Sequence, residues 1–175
     1  MKKNYPVKKR LSLKENIQII LPLMYDDLML YKQDVVTKPL AKNTLHRMRI
    51  TGKPLRYAME IGEVAFGEEF SKCYIEVKNA VELMGEIHDA DVMIPELGLH
   101  LKEIRLFNQT IPVFKERIST KGIRKIMEVL KQKRREMYAE LCKTLNEWES
   151  TNFRKKLLNS MDVKQADQFE TAGGI

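Results

Sequence analysis

Apolar residues recur at intervals of three and four along most of the chain, and nowhere in strict alternation over a useful length. This pattern predicts an all-α protein, an up-and-down helical bundle of about five to six helices. A first helix is predicted from about Lys14 to Gln33, opened by Ser12 with Glu15 three residues on, the spacing of a capping box. Val35 to Pro39 reads as a connector. A second helix runs from near Leu40 to Phe66 and stops at Gly67. Pro54 removes the hydrogen bond to the Ile50 carbonyl and predicts a kink. Leu55, Met59 and Phe66 carry the apolar period through it, so this is one bent helix rather than two.

A third helix is predicted over about Glu68 to Glu86, with Phe70, Cys73, Tyr74, Val77, Val81 and Met84 on one face and Gly85 at its end. Asp89 and Asp91 read as caps opening a fourth helix, with Pro95 in its first turn. Asn108 to Pro112 is a connector. A long helix follows over Ser119 to Ser150 and a short one over Asn152 to Asn159. The expected organisation is a basic, flexible N-terminus over 1–11, one helical domain over 12–161, and a disordered tail over 162–175.

Composition agrees with helices, since Gly (8) and Pro (6) are scarce for 175 residues. The apolar run Ile17 to Met24 meets Asp26-Asp27, has no small-residue cleavage site after it, and falls short of the ~20 residues of a membrane span. Cys73 and Cys142 are isolated and fit neither a disulfide framework nor a zinc knuckle. A cytoplasmic protein off the membrane is therefore expected, with no resident metal or cofactor.

The net charge is +7, from 31 Lys and Arg against 24 Asp and Glu, and its distribution says more than its size. His46, Arg49, Lys53, Arg56 and Glu60 recur at threes and fours, so they share one stripe of the second helix. On the helical wheel Leu45, Met48, Gly52, Leu55 and Met59 border one side of it, and Ile50, Tyr57 and Ile61 the other. A charge row is usually a solvated face. Two apolar borders predict instead that this one faces a groove or another subunit. Cations placed there need compensating anions. These are either internal, from Glu60, Asp89 or Asp91, or an external polyanion, which is the preferred expectation. The long helix carries a second cluster, with Arg134 inside its apolar sector and Arg124, Lys131 and Arg135 along the edge. The two clusters are expected to line one cleft.

The stretch His46-x-x-Arg49-x-x-x-Lys53-x-x-Arg56-Tyr57-x-x-Glu60 resembles the signature of the CHAD family, the conserved histidine α-helical domains. Leu83 to Val92 looks like the family's second motif, with His88 where Arg or Asn is more usual. The basic late helix with Tyr138 and Leu141, then Phe153 and Leu157-Leu158, is similar to the end of a family repeat. The likeness covers about Lys42 to Met161. It implies binding of inorganic polyphosphate by basic helices, with His46, Arg49, Lys53 and Arg56 at the motif positions and Arg134 and Arg135 in the late helix; Lys131, at the edge of that helix's apolar sector, is expected to join them. Family members usually carry two repeats, whereas this chain has one. A homodimer is the simplest way to complete the site.

Other readings stay open. His46 with His88-Asp89 and Asp91 is superficially similar to the metal set of HD-type phosphohydrolases, though a helix boundary with a capping Asp explains His88-Asp89 more simply. Basic helices also attract RNA, but base stacking needs exposed aromatics, and these are only 7% of residues. There is no Gly-rich phosphate loop, Cys-x-x-Cys or nucleophile elbow. No catalytic residue is expected.

Overall fold

The computed structural model describes residues 4–162. Within them the chain folds into helices α1 (Leu13–Met29), α2 (Lys32–Thr37), α3 (Lys42–Gly62), α4 (Glu68–Thr110), α5 (Lys121–Ser150) and α6 (Phe153–Ser160), with no strand among the described residues. The expected all-α bundle is the fold. The expected disordered tail lies, beyond Asp162, outside the described residues.

α1 starts where its capping box places it. Glu15 N–H donates to Ser12 Oγ (3.2 Å) and Ser12 N–H to Glu15 Oε2 (2.7 Å). The Ser12 hydrogen bonds also hold the Glu15 carboxyl below its ordinary range. Ile17, Ile20, Leu21, Met24, Tyr25 and Leu28 form its buried face. Residues 4–12 precede it without helix, tied to it by Tyr5 Oη donating to Asp27 (3.0 Å) and Lys8 N–H donating to Asn16 (2.7 Å).

The first predicted helix is too long by four residues. It breaks after Met29, and the segment read as a connector is largely α2, which buries Val35 and the stem of Lys32. Lys32 Nζ donates to Glu149 on α5 (2.5 Å), and the Tyr138 hydroxyl donates to the Val35 carbonyl. α3 contains Pro54 and is continuous through it, burying Leu45, Met48, Leu55 and Met59.

The largest departure is α4. Two helices separated near residues 86–91 are expected, but one helix of 43 residues runs from Glu68 to Thr110. Asp89 and Asp91 cap nothing, because both lie in its interior. Pro95 lies inside as well. It lacks the N–H that would bind the Asp91 carbonyl four residues back. That carbonyl accepts instead from Lys42 Nζ at 3.4 Å, so a neighbouring helix takes up the freed acceptor. Packing on two sides, by α3 and by α5, overrides the local break signals.

The core gathers α1, α3, the first half of α4, the second half of α5, and α6. Tyr25, Trp148 and Phe153 are its aromatic centre, with Trp148 and Phe153 stacked at 4.8 Å. The turn from α5 to α6 uses Asn152 in the left-handed region (φ 52°), which asparagine tolerates. Beyond the core, α4 and α5 continue together as an arm. From Val92 to Lys133 Leu101 alone is buried. Asn108 closes the tip, donating to the Ile118 carbonyl (2.9 Å) and accepting from its N–H (2.8 Å).

Candidate functional site

α3 and α4 lie antiparallel, and two glycines set how closely. A Cβ on Gly52 of α3 would stand 2.9 Å from Val81 Cγ2 of α4, too near for any real Cβ. A Cβ on Gly85 of α4 would stand 3.6 Å from Arg49 Nε. Arg49 thus lies across α4 at the residue that the sequence suggested as a helix stop. One turn away, the His46 ring stacks on His88, with centroids 4.6 Å apart and planes at 29°. His46 Nδ1 is buried and has no hydrogen-bond partner.

His46, Arg49, Lys53 and Arg56 are all half-buried, so the row is not a fully solvated face. Only one of its borders is covered. Leu45, Met48, Gly52, Leu55 and Met59 are in the core, but Ile50, Tyr57 and Ile61 are 52%, 48% and 58% exposed. The expected groove between two apolar flanks is therefore a ledge, with core on one side and an open apolar strip on the other. Tyr57 packs on its neighbour, the Arg56 guanidinium lying 4.4 Å from its ring centroid.

The question of internal or external anions has a different answer at each cation. Arg56 pairs with Glu60 at 3.6 Å, the internal option. Arg134 donates from Nε and Nη2 to Asp91 Oδ1 (2.8 Å) and Oδ2 (3.2 Å), and from Nη2 to the Pro39 carbonyl (3.2 Å). Lys42 approaches the same carboxylate at 3.3 Å. Asp91 is a buried anion serving two cations, and Arg134, expected among the ligand contacts, is held by it. Arg49 and Lys53 have no ion pair or hydrogen bond with any described residue.

The basic ends of α3 and α5 meet at Asp91, which Lys42 and Arg134 share. Of the cations on α5, Arg134 alone reaches the head of the α3 row, through Asp91. Arg135 donates to Gln132 (2.5 Å) and lies on the outer face of the arm with Lys125, Val129 and Lys133, while Lys131 is exposed. Two residues missed by the sequence reading, Lys42 and His88, sit in the site instead. His88 has a signal in its place in the second motif, but the same stretch also reads as a helix boundary.

Charge is segregated about α4. The groove that α4 forms with α5 and α6 is lined by Glu76, Glu82, Glu86, Glu140 and Glu147, of which Glu76 pairs with Lys156 at 2.5 Å. The α3 side of α4 carries Arg49 and Lys53 instead. Among the described residues no group of three or more His, Cys, Asp or Glu is placed to hold a metal ion, so the HD-like set does not assemble.

A family model described as the CHAD domain matches residues 8–98, just over half of the chain. The chain belongs to the CHAD family. The match takes in α1, the basic row of α3 and α4 as far as Gly98, and so contains both histidines of the stacked pair. It begins earlier than the resemblance read from the sequence and ends before α5. No curated protein and no solved structure matches this CHAD chain. No helix among its described residues is long and apolar enough to cross a membrane.

Proposed function

We propose that this CHAD domain binds inorganic polyphosphate, or a polyanion like it, along the α3 row, and that it does so without catalysis. The observation that carries this reading is the pair Arg49 and Lys53. Both are half-buried, and neither has an anionic partner among the described residues, whereas the neighbouring cations Arg56, Lys42 and Arg134 all do. Half-buried charges without counterions cost free energy that a bound anion recovers.

Cations three and four residues apart on a helix are ~5–6 Å apart, so successive phosphates of a flexible chain find successive partners. Arg49 offers a planar fork to phosphate oxygens and Lys53 a point charge. The driving force is release of condensed counterions. By analogy with single-stranded nucleic acid, log affinity falls with log salt at a slope of roughly −0.7 per phosphate neutralised.

In this reading a second copy of the chain completes the site, covering the open strip of Ile50, Tyr57 and Ile61. A light-scattering mass equal to one chain at micromolar concentration, with polyphosphate present, removes the dimer from the proposal.

The deciding experiment titrates salt against binding of polyphosphate, RNA and ATP side by side. Polyphosphate is expected to bind most tightly, with a steep salt dependence. Equal affinity for RNA makes the site a general polyanion surface, and a salt-independent affinity sinks the mechanism. A pure scaffold is distinguished by melting temperature, which polyphosphate raises only if it binds the folded state.

A further inference from the structure

The permanent cations of the row do not use the stacked imidazoles of His46 on α3 and His88 on α4, with centroids 4.6 Å apart. Neither ring has a hydrogen bond or ion pair with any described residue, and His46 Nδ1 is buried. A proton on that nitrogen would be an N–H shut away from water with no acceptor. The tautomer protonated on Nε2 avoids this. In that tautomer the one N–H of the ring is on Nε2 and is free to donate. His88 carries no such constraint. Two imidazolium rings in a stack repel, so a second proton is harder to add than a first, and His88 is the place for the first.

Charged groups lie about the pair on three helices. On α3 they are Lys42 and Arg49, one turn to either side of His46, with Lys53 beyond. On α4 they are Asp89, which is exposed, and Asp91, which already serves Lys42 and Arg134. From α5 comes Arg134 itself. Four of these groups are positive and two negative, and successive phosphates laid along Arg49 and Lys53 offset that excess. Imidazole is the side chain that changes charge between about pH 5 and 8.

We propose that anion binding at this ledge is proton-linked: one proton from solvent is taken up on His88 as the phosphate chain binds, while neutral His46 donates its Nε2–H to a phosphate oxygen. This rests on the polyphosphate reading above. The sign follows from linkage, since a proton bound more tightly in the complex makes affinity rise as pH falls. One linked proton gives a change of at most about tenfold per pH unit, levelling off on either side of the transition.

The test is calorimetric titration of the whole chain with long-chain polyphosphate at pH 6 and pH 8, ionic strength held fixed. Buffers of different ionisation enthalpy report the protons taken up. The wild-type protein is expected to bind more tightly at pH 6 and to take up close to one proton within the transition. His88→Asn, checked for folding by circular dichroism, is expected to keep a steep salt dependence but to bind equally at both pH values with no proton uptake. Equal wild-type affinity at the two pH values, or unchanged proton uptake in His88→Asn, overturns the proton link and leaves polyphosphate binding standing. Absence of binding at both pH values overturns the functional reading, and the proton link with it.

Discussion

Arg134 and Asp91 join α5 to α4 through two parallel hydrogen bonds, at 2.8 and 3.2 Å, between side chains that are 13% and 6% exposed. Such a pair is costly to break from one side only, because a buried charge is left behind. Arg134→Ala is expected to lower stability by about 3 kcal/mol, the low end of the usual range, since Lys42 still attends Asp91. Arg134→Met combined with Asp91→Leu is expected to lose less. Midpoints of urea unfolding check both. Where Arg134→Ala is folded, its salt slope for polyphosphate is expected to stay at the wild-type value.

Arg49 and Lys53 behave in the opposite way. Each mutation to Ala is expected to reduce the salt slope by about 0.7 and to weaken polyphosphate binding, with little change in the unfolding midpoint. The double variant is expected to abolish the rise in melting temperature that polyphosphate causes. Arg135→Ala, on the outer face of the arm, is expected to change neither quantity. A loss there as large as that for Arg49→Ala extends the site onto α5.

Gly52 is a contact between helices more than a flexible point. Its missing Cβ is what Val81 fills, at 2.9 Å. Gly52→Ala is expected to cost about 1–3 kcal/mol through overpacking, despite alanine's better helix propensity. Adding Val81→Ala is expected to restore part of that. Failure of the second change to restore anything argues that the helices are not held apart by this contact.

Alkaline pH weakens the fold through its tyrosines. Burial, then the nearby Cys142 and Asp91, push Tyr138 from 10.0 up to about 12, with Arg134 opposing. Burial and the hydrogen bond to Asp27 do the same for Tyr5, also to about 12. Both stay neutral in the folded chain after the unfolded chain has begun to ionise. The stability they contribute is therefore complete below pH 10 and is lost as pH rises from 10 towards 12. Tyrosinate absorbance followed with unfolding checks this, and Tyr138→Phe is expected to flatten the dependence.

The helices were legible wherever one signal decided the matter. The apolar period placed α3, α5 and α6 to within a few residues, and Ser12 with Glu15 fixed the start of α1. The sequence misled where a residue had two possible uses. Gly85 and Asp91 carry the local marks of a helix end, but Gly85 makes room for Arg49 and Asp91 pairs with both Arg134 and Lys42. Both uses depend on a helix from elsewhere in the chain, which a local reading does not contain. The basic row was legible from spacing alone. Which of its cations were already neutralised was not, because that depends on carboxylates such as Asp91 whose direction only the packing sets.

The single span of α4 has a mechanical side. From His88 to Thr110 it is an unbroken rod of ~33 Å, with the histidine stack near its core end and the arm's tip at the other. Pro95 lies between them, and Lys42 of α3 holds the carbonyl that it frees. The stack is built from one ring on α3 and one on α4, so it is a join between the core and the helix that carries the arm.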